Sequence, residues 1–396
     1  MRAEDQMKVF KNTPANTRKV IVATNIAETS LTIPGVVYVI DCGLHKQRTF
    51  HPSTGIDILR VDPVSKAGLT QRKGRAGREA PGKCFRLFEE KVIDEMIEVD
   101  VPEILRTDLS STFLNLLVIG VNLFKMELLA KPDDQALRQA VKVLQSMKAI
   151  KKGRDGVNYT LTDLGKQMSL FPISVQLSRA LIVAADRSVL DQVAMIISLM
   201  TSEHVFMDNQ SKSGQSFSRF TDISGDHCML LKLFREYLAD VKPNLEKIPG
   251  RRFELNRKKR RKSTSWCRKN NISWKAMRHA LDVYLQLIDY CRKANLSVSS
   301  MELTADVETM EIRKSLIAGY FLRIASLSED RRTYQTLSKH QECFLHPMSV
   351  LALNPRSKPQ FVLYSELVST TKVYMRTVSE IEESWIEEVV PGFNLH

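Results

Sequence analysis

The chain has 396 residues, enough for two to four domains with a substantial buried core. Its composition is ordinary for a soluble globular protein, and no apolar stretch reaches the length of a membrane span. The six cysteines are scattered without a CxxC pair, which argues against a disulfide framework or a zinc site and favours a reducing compartment. The formal net charge of +13 favours polyanionic partners.

A polar segment stands between two apolar runs near the start of the chain. The β-branched run at residues 20–23 predicts a buried parallel strand, and a second run at residues 36–40 ends at Asp41. The sequence TNIAETSLTI, residues 24–33, lies between them. Polar residues at the carboxyl ends of strands are typical of nucleotide-handling α/β folds.

Two extended segments follow, at residues 45–49 and 56–61, on either side of a turn-forming Pro-Ser-Thr-Gly sequence. This pattern predicts a β-hairpin at about residues 44–61. The residues alone do not decide between a surface excursion and a functional hairpin.

The segment QRKGRAGR, residues 71–78, is the most informative feature of the chain. On a helix, Gln71, Arg75 and Arg78 stand at i, i+4 and i+7 and share one face. Gly74 and Gly77 would each weaken such a helix by about 1 kcal/mol relative to Ala, so close approach of the backbone to a ligand would explain them. Two permanently charged guanidinium groups on one face suit a polyphosphate.

Helices dominate from residue 102 to about residue 300. Residues 133–150 predict an amphipathic helix, followed by a turn and a short strand at residues 157–161, a pattern that suggests a winged helix. The stripe of this helix is expected to be core: Leu137, Ala140, Val141, Leu144 and Met147. The apolar run at residues 193–197 belongs in the interior of a helical bundle.

A basic run interrupts the bundle. Residues 251–262 contain eight Lys or Arg residues and one Glu, with six consecutive cations at residues 257–262. We predict a loop here and leave three interpretations open: a nuclear import signal, an RNA-contacting loop, or a merely solvated loop.

The last part of the chain predicts short strands at residues 320–325, 333–337, 343–345 and 361–363. Several short strands punctuated by Pro and Gly suggest a small β-barrel.

Taken together, TNIAETSLTI and QRKGRAGR resemble motifs V and VI of the DEAH-box family of ATP-dependent RNA helicases, and the resemblance extends through nearly the whole chain. It implies a multidomain α/β plus α plus β fold. The implied domains are a partial second RecA-like domain (1–98), a winged helix (99–164), a helical, ratchet-like bundle with the basic loop 251–262 (165–300), an OB-fold barrel (301–375) and a C-terminal tail (376–396).

The resemblance also implies roles at the nucleotide. Arg75 and Arg78 would reach the γ-phosphate, and Gln71 would order the attacking water or the phosphates. Gly74 and Gly77 would lie beside the nucleotide. Phe10 matches an aromatic residue that stacks on adenine, although a helix-core phenylalanine is an equally good interpretation.

On the RNA side, Thr24, Asn25 and Thr29 match positions that contact the nucleic-acid backbone. A hydroxyl and an amide suit that task, because phosphate contacts hold position without reading sequence. Neither His227 nor His346 has a carboxylate or cysteine at ligand spacing, so no metal site is predicted and both histidines are interpreted as structural.

The sequence contains neither a GxxxxGK[ST] phosphate loop nor an Asp-Glu-Ala-His motif for Mg²⁺. The leading prediction is therefore a carboxy-terminal portion of an ATP- and Mg²⁺-dependent RNA helicase that hydrolyses nothing alone. The alternatives are a truncated, non-catalytic RNA-binding adaptor and, less strongly, a DNA-directed helicase. RNA and an activator protein with a glycine-rich patch are the implied partners, and a nuclear or otherwise cytoplasmic location is expected.

Overall fold

The computed structural model describes residues 7–29, 31–51, 56–153, 158–202, 205–207, 218–242, 255–297, 303–353, 358–369 and 372–391. The chain divides into two compact units. The first contains Met1–His51, Asp57–Thr107 and Leu129–Lys131, and the second contains Pro52–Ile56, Asp108–Leu128 and Pro132–His396.

The first unit is an α/β structure around a small core. Its elements are a 3₁₀ turn (Met7–Phe10), α1 (Ile26–Thr29), β1 (Tyr38–Asp41), β2 (Leu44–His51), β3 (Ile56–Pro63), α2 (Lys66–Lys73), β4 (Lys83–Arg86), α3 (Val92–Glu95) and a 3₁₀ turn (Glu103–Leu105). Strands β1 and β4 are parallel, with Ile40 opposite Phe85. The core is formed by Val64, Leu69 and Met96.

Strands β2 and β3 are neighbours in a sheet and occupy the stretch where the sequence predicts a β-hairpin. The turn predicted between them, residues 52–55, lies outside the described residues.

The strand predicted at residues 20–23 is not formed. Val20 is 80% exposed and Val22 is 94% exposed, and the backbone there has no ladder partner among the described residues. A β-branched run favours an extended backbone, but a strand also needs a neighbour to receive its hydrogen bonds. In the described part of the unit, β1 pairs only with β4.

The second unit begins with a small domain of helices and one strand pair. Its elements are α4 (Ser110–Val118), a 3₁₀ turn (Leu123–Lys125), α5 (Asp134–Ser146), β5 (Ile150–Lys152), β6 (Tyr159–Leu161) and α6 (Asp163–Ser169). The side chain of Asp133 caps α5 by accepting a hydrogen bond from the Gln135 amide at 3.1 Å. The predicted stripe is buried, each of its five side chains being at most 4% exposed.

A bundle of longer helices follows. It consists of α7 (Val175–Asp186), α8 (Leu190–Met200), α9 (Asp226–Val241), α10 (Arg257–Lys269), α11 (Trp274–Lys293) and α12 (Ala305–Tyr320). The run at residues 193–197 is buried inside it, as predicted. None of the helices in the described ranges is long and apolar enough to cross a bilayer.

The basic run is a helix where the sequence predicts a loop. Residues 257–262 form the first turns of α10, and residues 251–254 lie outside the described ranges. The Asn256 side chain caps the helix by accepting a hydrogen bond from the Lys259 amide at 2.9 Å. Behind this cap, Trp266 and Cys267 anchor the helix in the core.

The chain ends in a five-stranded barrel with two short helices. Its elements are β7 (Ile324–Leu327), β8 (Tyr334–Thr336), β9 (Glu342–Leu345), α13 (Val350–Leu353), β10 (Phe361–Ser369), β11 (Val373–Ile381) and α14 (Glu383–Val389). The antiparallel pairing of β10 with β11 closes the barrel. Strand β11 therefore runs beyond residue 375, where the sequence places the end of the OB-fold, and α14 lies in the stretch predicted as a tail.

Candidate functional site

The QRKGRAGR segment is helical only at its start, since α2 covers residues 71–73 and ends there. Helix α2 stops at Lys73, and the Gly74 amide closes the last turn on the Thr70 carbonyl at 2.9 Å. Tighter turns follow, in which the amides of Arg75 and Ala76 bond the carbonyls three residues back. The single helical face predicted for Gln71, Arg75 and Arg78 therefore does not persist past Lys73, because the two arginines lie beyond the helix end.

Four of the predicted site residues line one cavity of about 660 Å³ in the first unit: Thr24, Asn25, Arg75 and Arg78. Backbone and side chains of the stretch from Leu31 to Lys46 form much of the remaining wall, and Arg72 also lines the cavity. The two sequence motifs, about 45 residues apart in the chain, thus meet at one concave surface.

Arg75 links the two motifs through its guanidinium. Its Nη1 donates to the Leu31 carbonyl at 3.1 Å, and its Nη2 donates to the Glu28 carbonyl. The third guanidinium nitrogen, Nε, is buried, and its N–H has no hydrogen-bond partner among the described residues. A buried N–H that lacks an acceptor is costly, and a bound anion would satisfy it.

Arg78 is the more accessible of the two arginines. It is exposed, and its Nη1 donates to the Thr32 hydroxyl at 2.5 Å. Its remaining N–H groups have no hydrogen-bond partner among the described residues and can form a fork for a bidentate acceptor such as a phosphate oxygen pair.

The two glycines of the segment are not required by the chain itself. Gly74 has an ordinary right-handed helical backbone, and an added Cβ would contact only the Gln71 and Thr70 carbonyls at 3.4 Å. A Cβ at Gly77 would meet nothing within 4 Å. Since neither position is crowded by the chain, both glycines are compatible with the close approach of a ligand that the sequence suggests.

The other predicted residues do not line this cavity. Gln71 is exposed on α2, and Thr29 is exposed at the end of α1. Phe10 is half-buried in the 3₁₀ turn Met7–Phe10, which Lys19 Nζ holds by donating to the Val9 and Lys11 carbonyls at 2.5 and 2.8 Å. Both interpretations of Phe10 therefore stay predictions.

Arg72, which sequence reasoning missed, organises the floor of the site. Its Nε donates to Glu28 at 2.9 Å, and its Nη1 donates to Asp41 at 2.8 Å and to the Leu44 carbonyl at 3.1 Å. The three charged side chains are 13%, 10% and 2% exposed for Arg72, Glu28 and Asp41. Burial alone would lower the pKa of Arg72, but its hydrogen bonds and charge interactions with the two carboxylates hold that pKa above its usual value.

The sequence carries only a weak signal for Arg72. It lies within the motif, but its partners are 44 and 31 residues away. Glu28 lies between two apolar runs and Asp41 directly follows the second run, which could have suggested buried ion pairs. The sequence alone does not indicate which cation would pair with each carboxylate.

In the second unit, Asp226 and His227 tie the bundle to the barrel. The Asp226 carboxylate accepts hydrogen bonds from the Val350 and Val378 amides, each at 2.7 Å. His227 is fully buried, with Nδ1 2.8 Å from the Ser379 hydroxyl and Nε2 3.0 Å from the Ser365 hydroxyl. Burial lowers the pKa of His227 to about 3, so the ring is neutral and its role is structural.

Four family models match the chain, in sequence order. They are the helicase conserved C-terminal domain (residues 1–80), the winged-helix part of the helicase-associated domain (140–173), its ratchet-like part (174–271) and an oligonucleotide/oligosaccharide-binding OB-fold (312–393). Together with the closed barrel, these matches confirm the predicted combination of a helicase α/β domain, a winged helix, a helical bundle and an OB-fold.

Two relatives match almost the whole chain. It is 35% identical over 389 residues to the ATP-dependent RNA helicase DHX33 of Drosophila melanogaster. It is also 35% identical over 393 residues to the pre-mRNA-splicing factor ATP-dependent RNA helicase DEAH10 of Arabidopsis thaliana. Each alignment covers 98% of this chain and 52% of the relative, so the chain spans about half the length of these relatives. The domain series and the relatives together show that the chain belongs to the DEAH-box RNA helicase family and corresponds to its carboxy-terminal portion.

Proposed function

We propose that the chain is the carboxy-terminal portion of an ATP-dependent RNA helicase that hydrolyses nucleoside triphosphate to translocate on RNA and to unwind or remodel it. The observation that carries this proposal is the meeting of Thr24, Asn25, Arg75 and Arg78 at one cavity. Residues suited to a nucleic-acid backbone and residues suited to a polyphosphate stand there side by side, which is the arrangement that coupling of the two ligands requires.

At the nucleotide, Arg78 and Arg75 bind the γ-phosphate, and Gln71 orders the attacking water or the phosphates. The exposed Arg78 fork and the unsatisfied, buried Nε of Arg75 both fit an anion. Gly74 and Gly77 let the backbone approach the nucleotide, and Phe10 stacks on the adenine. When bound, ATP with Mg²⁺ supplies the phosphoryl group that is transferred to water.

On the RNA side, Thr24, Asn25 and Thr29 hold the phosphate–sugar backbone. Thr24 and Asn25 begin the short turn that leads into α1, and both are exposed. Arg75 donates hydrogen bonds to main-chain carbonyls on either side of the end of α1. A shift of RNA at Thr24 is therefore transmitted to Arg75 through the backbone of α1. These contacts do not read sequence, so the choice of RNA rests with partners.

The isolated chain is expected not to hydrolyse ATP, because the arginines act on a nucleotide that a phosphate loop and Mg²⁺ carboxylates must hold. The test is ATPase activity of the purified 396-residue chain with and without RNA, compared with its Arg75→Ala variant. Equal, background-level rates support the proposal. An RNA-stimulated rate above that of Arg75→Ala would overturn the predicted inactivity of the chain.

The location and partners of the intact protein are part of the proposal. The splicing-factor name of the Arabidopsis relative supports a nuclear role, and an activator with a glycine-rich patch is the proposed partner. Imaging of a tagged protein with residues 257–262 deleted tests whether that run directs import: unchanged nuclear accumulation would count against it.

A further inference from the structure

Six of the eight cations of α10 form two parallel rows on one side of the helix. Arginines stand at positions 257, 261 and 268, and lysines stand at 258, 262 and 269, both sets at i, i+4 and i+11. At 100° per residue each row stays within about 40° of arc, and the two rows lie about 100° apart. The rows extend about 16 Å along the axis at 1.5 Å per residue.

Packing fixes these rows toward solvent. The opposite face of α10 is held in the bundle by Ser263, Trp266 and Cys267, of which Ser263 lies 2.9 Å from the Tyr237 hydroxyl. All six cations of the rows are exposed. The helix therefore cannot rotate to hide them, and they present a fixed surface.

Little negative charge balances the rows. Lys262 lies 3.7 Å from Asp240, with both side chains about half exposed, whereas no described carboxylate lies within 4 Å of the other five cations. The first turn of α10 contains no acidic residue, so its cations face the positive end of the helix dipole. Like charges at i and i+4 also repel. The arrangement thus opposes helix stability.

We propose that these two rows, the basic face of α10, form a docking surface for the phosphate backbone of RNA. This proposal rests on the proposed RNA-directed function and adds a second contact surface, in the other unit of the chain from the cavity at Arg75. Phosphates would neutralise the repelling cations, and Ser265, exposed between the rows along the axis, offers a hydroxyl to the same backbone.

Two features favour RNA over an acidic protein segment. The two rows repeat the same spacing, and no exposed apolar side chain lies between them, whereas protein interfaces are usually built around apolar or aromatic anchors. Of the nearby tryptophans, Trp266 is buried in the bundle, and Trp274 is already covered by Arg260 and Arg278, whose guanidinium carbons lie 5.4 and 5.8 Å from its ring centre. A surface that carries charge of one sign and lacks apolar anchors suits a sequence-independent polyanion.

The test is RNA binding by the whole 396-residue chain, measured by fluorescence anisotropy with labelled single-stranded oligo(U) and oligo(A) over a range of salt. In the stripe variant, Arg257, Arg261 and Arg268 are all replaced by Gln. We expect a loss of affinity of about tenfold or more at low salt for both RNAs, and a salt slope shallower by about 2, because each phosphate contact contributes about 0.7. The melting temperature should not fall, since repulsion within α10 is relieved.

A matched control removes the same charge from exposed helix positions that already have carboxylate partners. In it, Arg138, Lys166 and Lys293 become Gln; each forms an i,i+3 or i,i+4 ion pair. Equal losses of affinity in the two variants, or undiminished binding by the stripe variant, would overturn the proposal and leave the proposed function standing. Failure of the unaltered chain to bind RNA would contradict both the docking surface on α10 and the proposed RNA-directed function. Competition by poly-glutamate as strong as by RNA of equal charge would identify an acidic protein as the occupant instead.

Discussion

Arg72 joins three segments of the first unit through one guanidinium, which bonds Glu28, Asp41 and the Leu44 carbonyl. Replacing Arg72 with Ala should lower the free energy of unfolding of this unit by about 3–5 kcal/mol, because two buried carboxylates lose their counter-charge. Arg72→Lys should be intermediate, since a single ammonium cannot reproduce a fork with fixed geometry. Urea unfolding followed by hydrogen exchange of residues 28–44 measures the effect.

The control for Arg72 is its neighbour Arg78. That side chain is exposed and has one described partner, the Thr32 hydroxyl, so Arg78→Ala should change stability by less than about 1 kcal/mol. Similar destabilisation by both variants would show that the buried ion pairs of Arg72 do not hold the segments together.

His227 predicts a pH dependence at the contact between bundle and barrel. Its pKa is lowered by burial from 6.5 to about 3, so between these values the unfolded chain binds a proton that the folded chain does not. The contribution of His227 to the free energy of unfolding should therefore be fully present above about pH 6.5. It should fall as the pH is lowered, with a slope approaching about 1.4 kcal/mol per pH unit. Burial raises the pKa of Asp226, which contributes the opposite slope.

The His227 contribution is isolated by comparison with His227→Gln, because Asp226 is present in both proteins. Urea unfolding between pH 7 and pH 5 should show a steeper loss of stability in the unaltered chain than in the variant. Parallel curves would mean that the imidazole binds its proton equally well in the folded and the unfolded chain, which would contradict the lowered pKa of His227.

At the scale of single elements, Gly165 and Gly77 differ in whether the packing of the chain requires a glycine. A Cβ on Gly165, in the first turn of α6, would lie 2.0 Å from the Ala149 carbonyl oxygen, a backbone atom that cannot move away cheaply. Gly165→Ala should destabilise the second unit by about 1–3 kcal/mol. Gly77→Ala, with nothing within 4 Å, should be neutral or stabilise by up to about 1 kcal/mol. Thermal unfolding compares the two variants, and equal effects would contradict the packing argument.

Elements that depend on local pattern could be predicted from the sequence. Helix α5 is stabilised by its own 3.6-residue periodicity and by the Asp133 cap, and its buried face is the predicted one. The run at residues 20–23 has an equally clear local pattern but forms no strand, because a strand depends on partners elsewhere. For the same reason the sequence did not indicate how far β10 and β11 extend, since their length comes from their pairing with each other.

The candidate site was partly predictable for a related reason. Motif resemblance identified Thr24, Asn25, Arg75 and Arg78, which the structure brings to one cavity. It did not identify Arg72, whose role arises from tertiary contacts with Glu28 and Asp41. Likewise, six consecutive cations suggested a loop, whereas the Asn256 cap and the buried side of α10 make this segment a helix.

At the scale of the whole molecule, the two units differ in how much apolar surface they bury. The described core of the first unit is small, with Val64, Leu69 and Met96 at its centre, while Tyr38, Ile40, Phe85 and Leu87 remain at least half exposed. The second unit buries long stretches of α7, α8, α9, α11 and the barrel. Since burial of apolar area is the main driving force of folding, their stabilities should differ widely.

We therefore expect the first unit to open far more readily than the second when the isolated chain is studied. Hydrogen exchange should show low protection for amides at residues 7–107 and high protection in α8, α9 and β10. Limited trypsin digestion should remove the first unit early and leave a resistant fragment that begins near residue 108. Equal protection of the two units would contradict this expectation. Self-association could produce that result by burying the exposed apolar side chains of the first unit in solution. Measuring exchange at two protein concentrations separates that case, since protection gained by association rises with concentration.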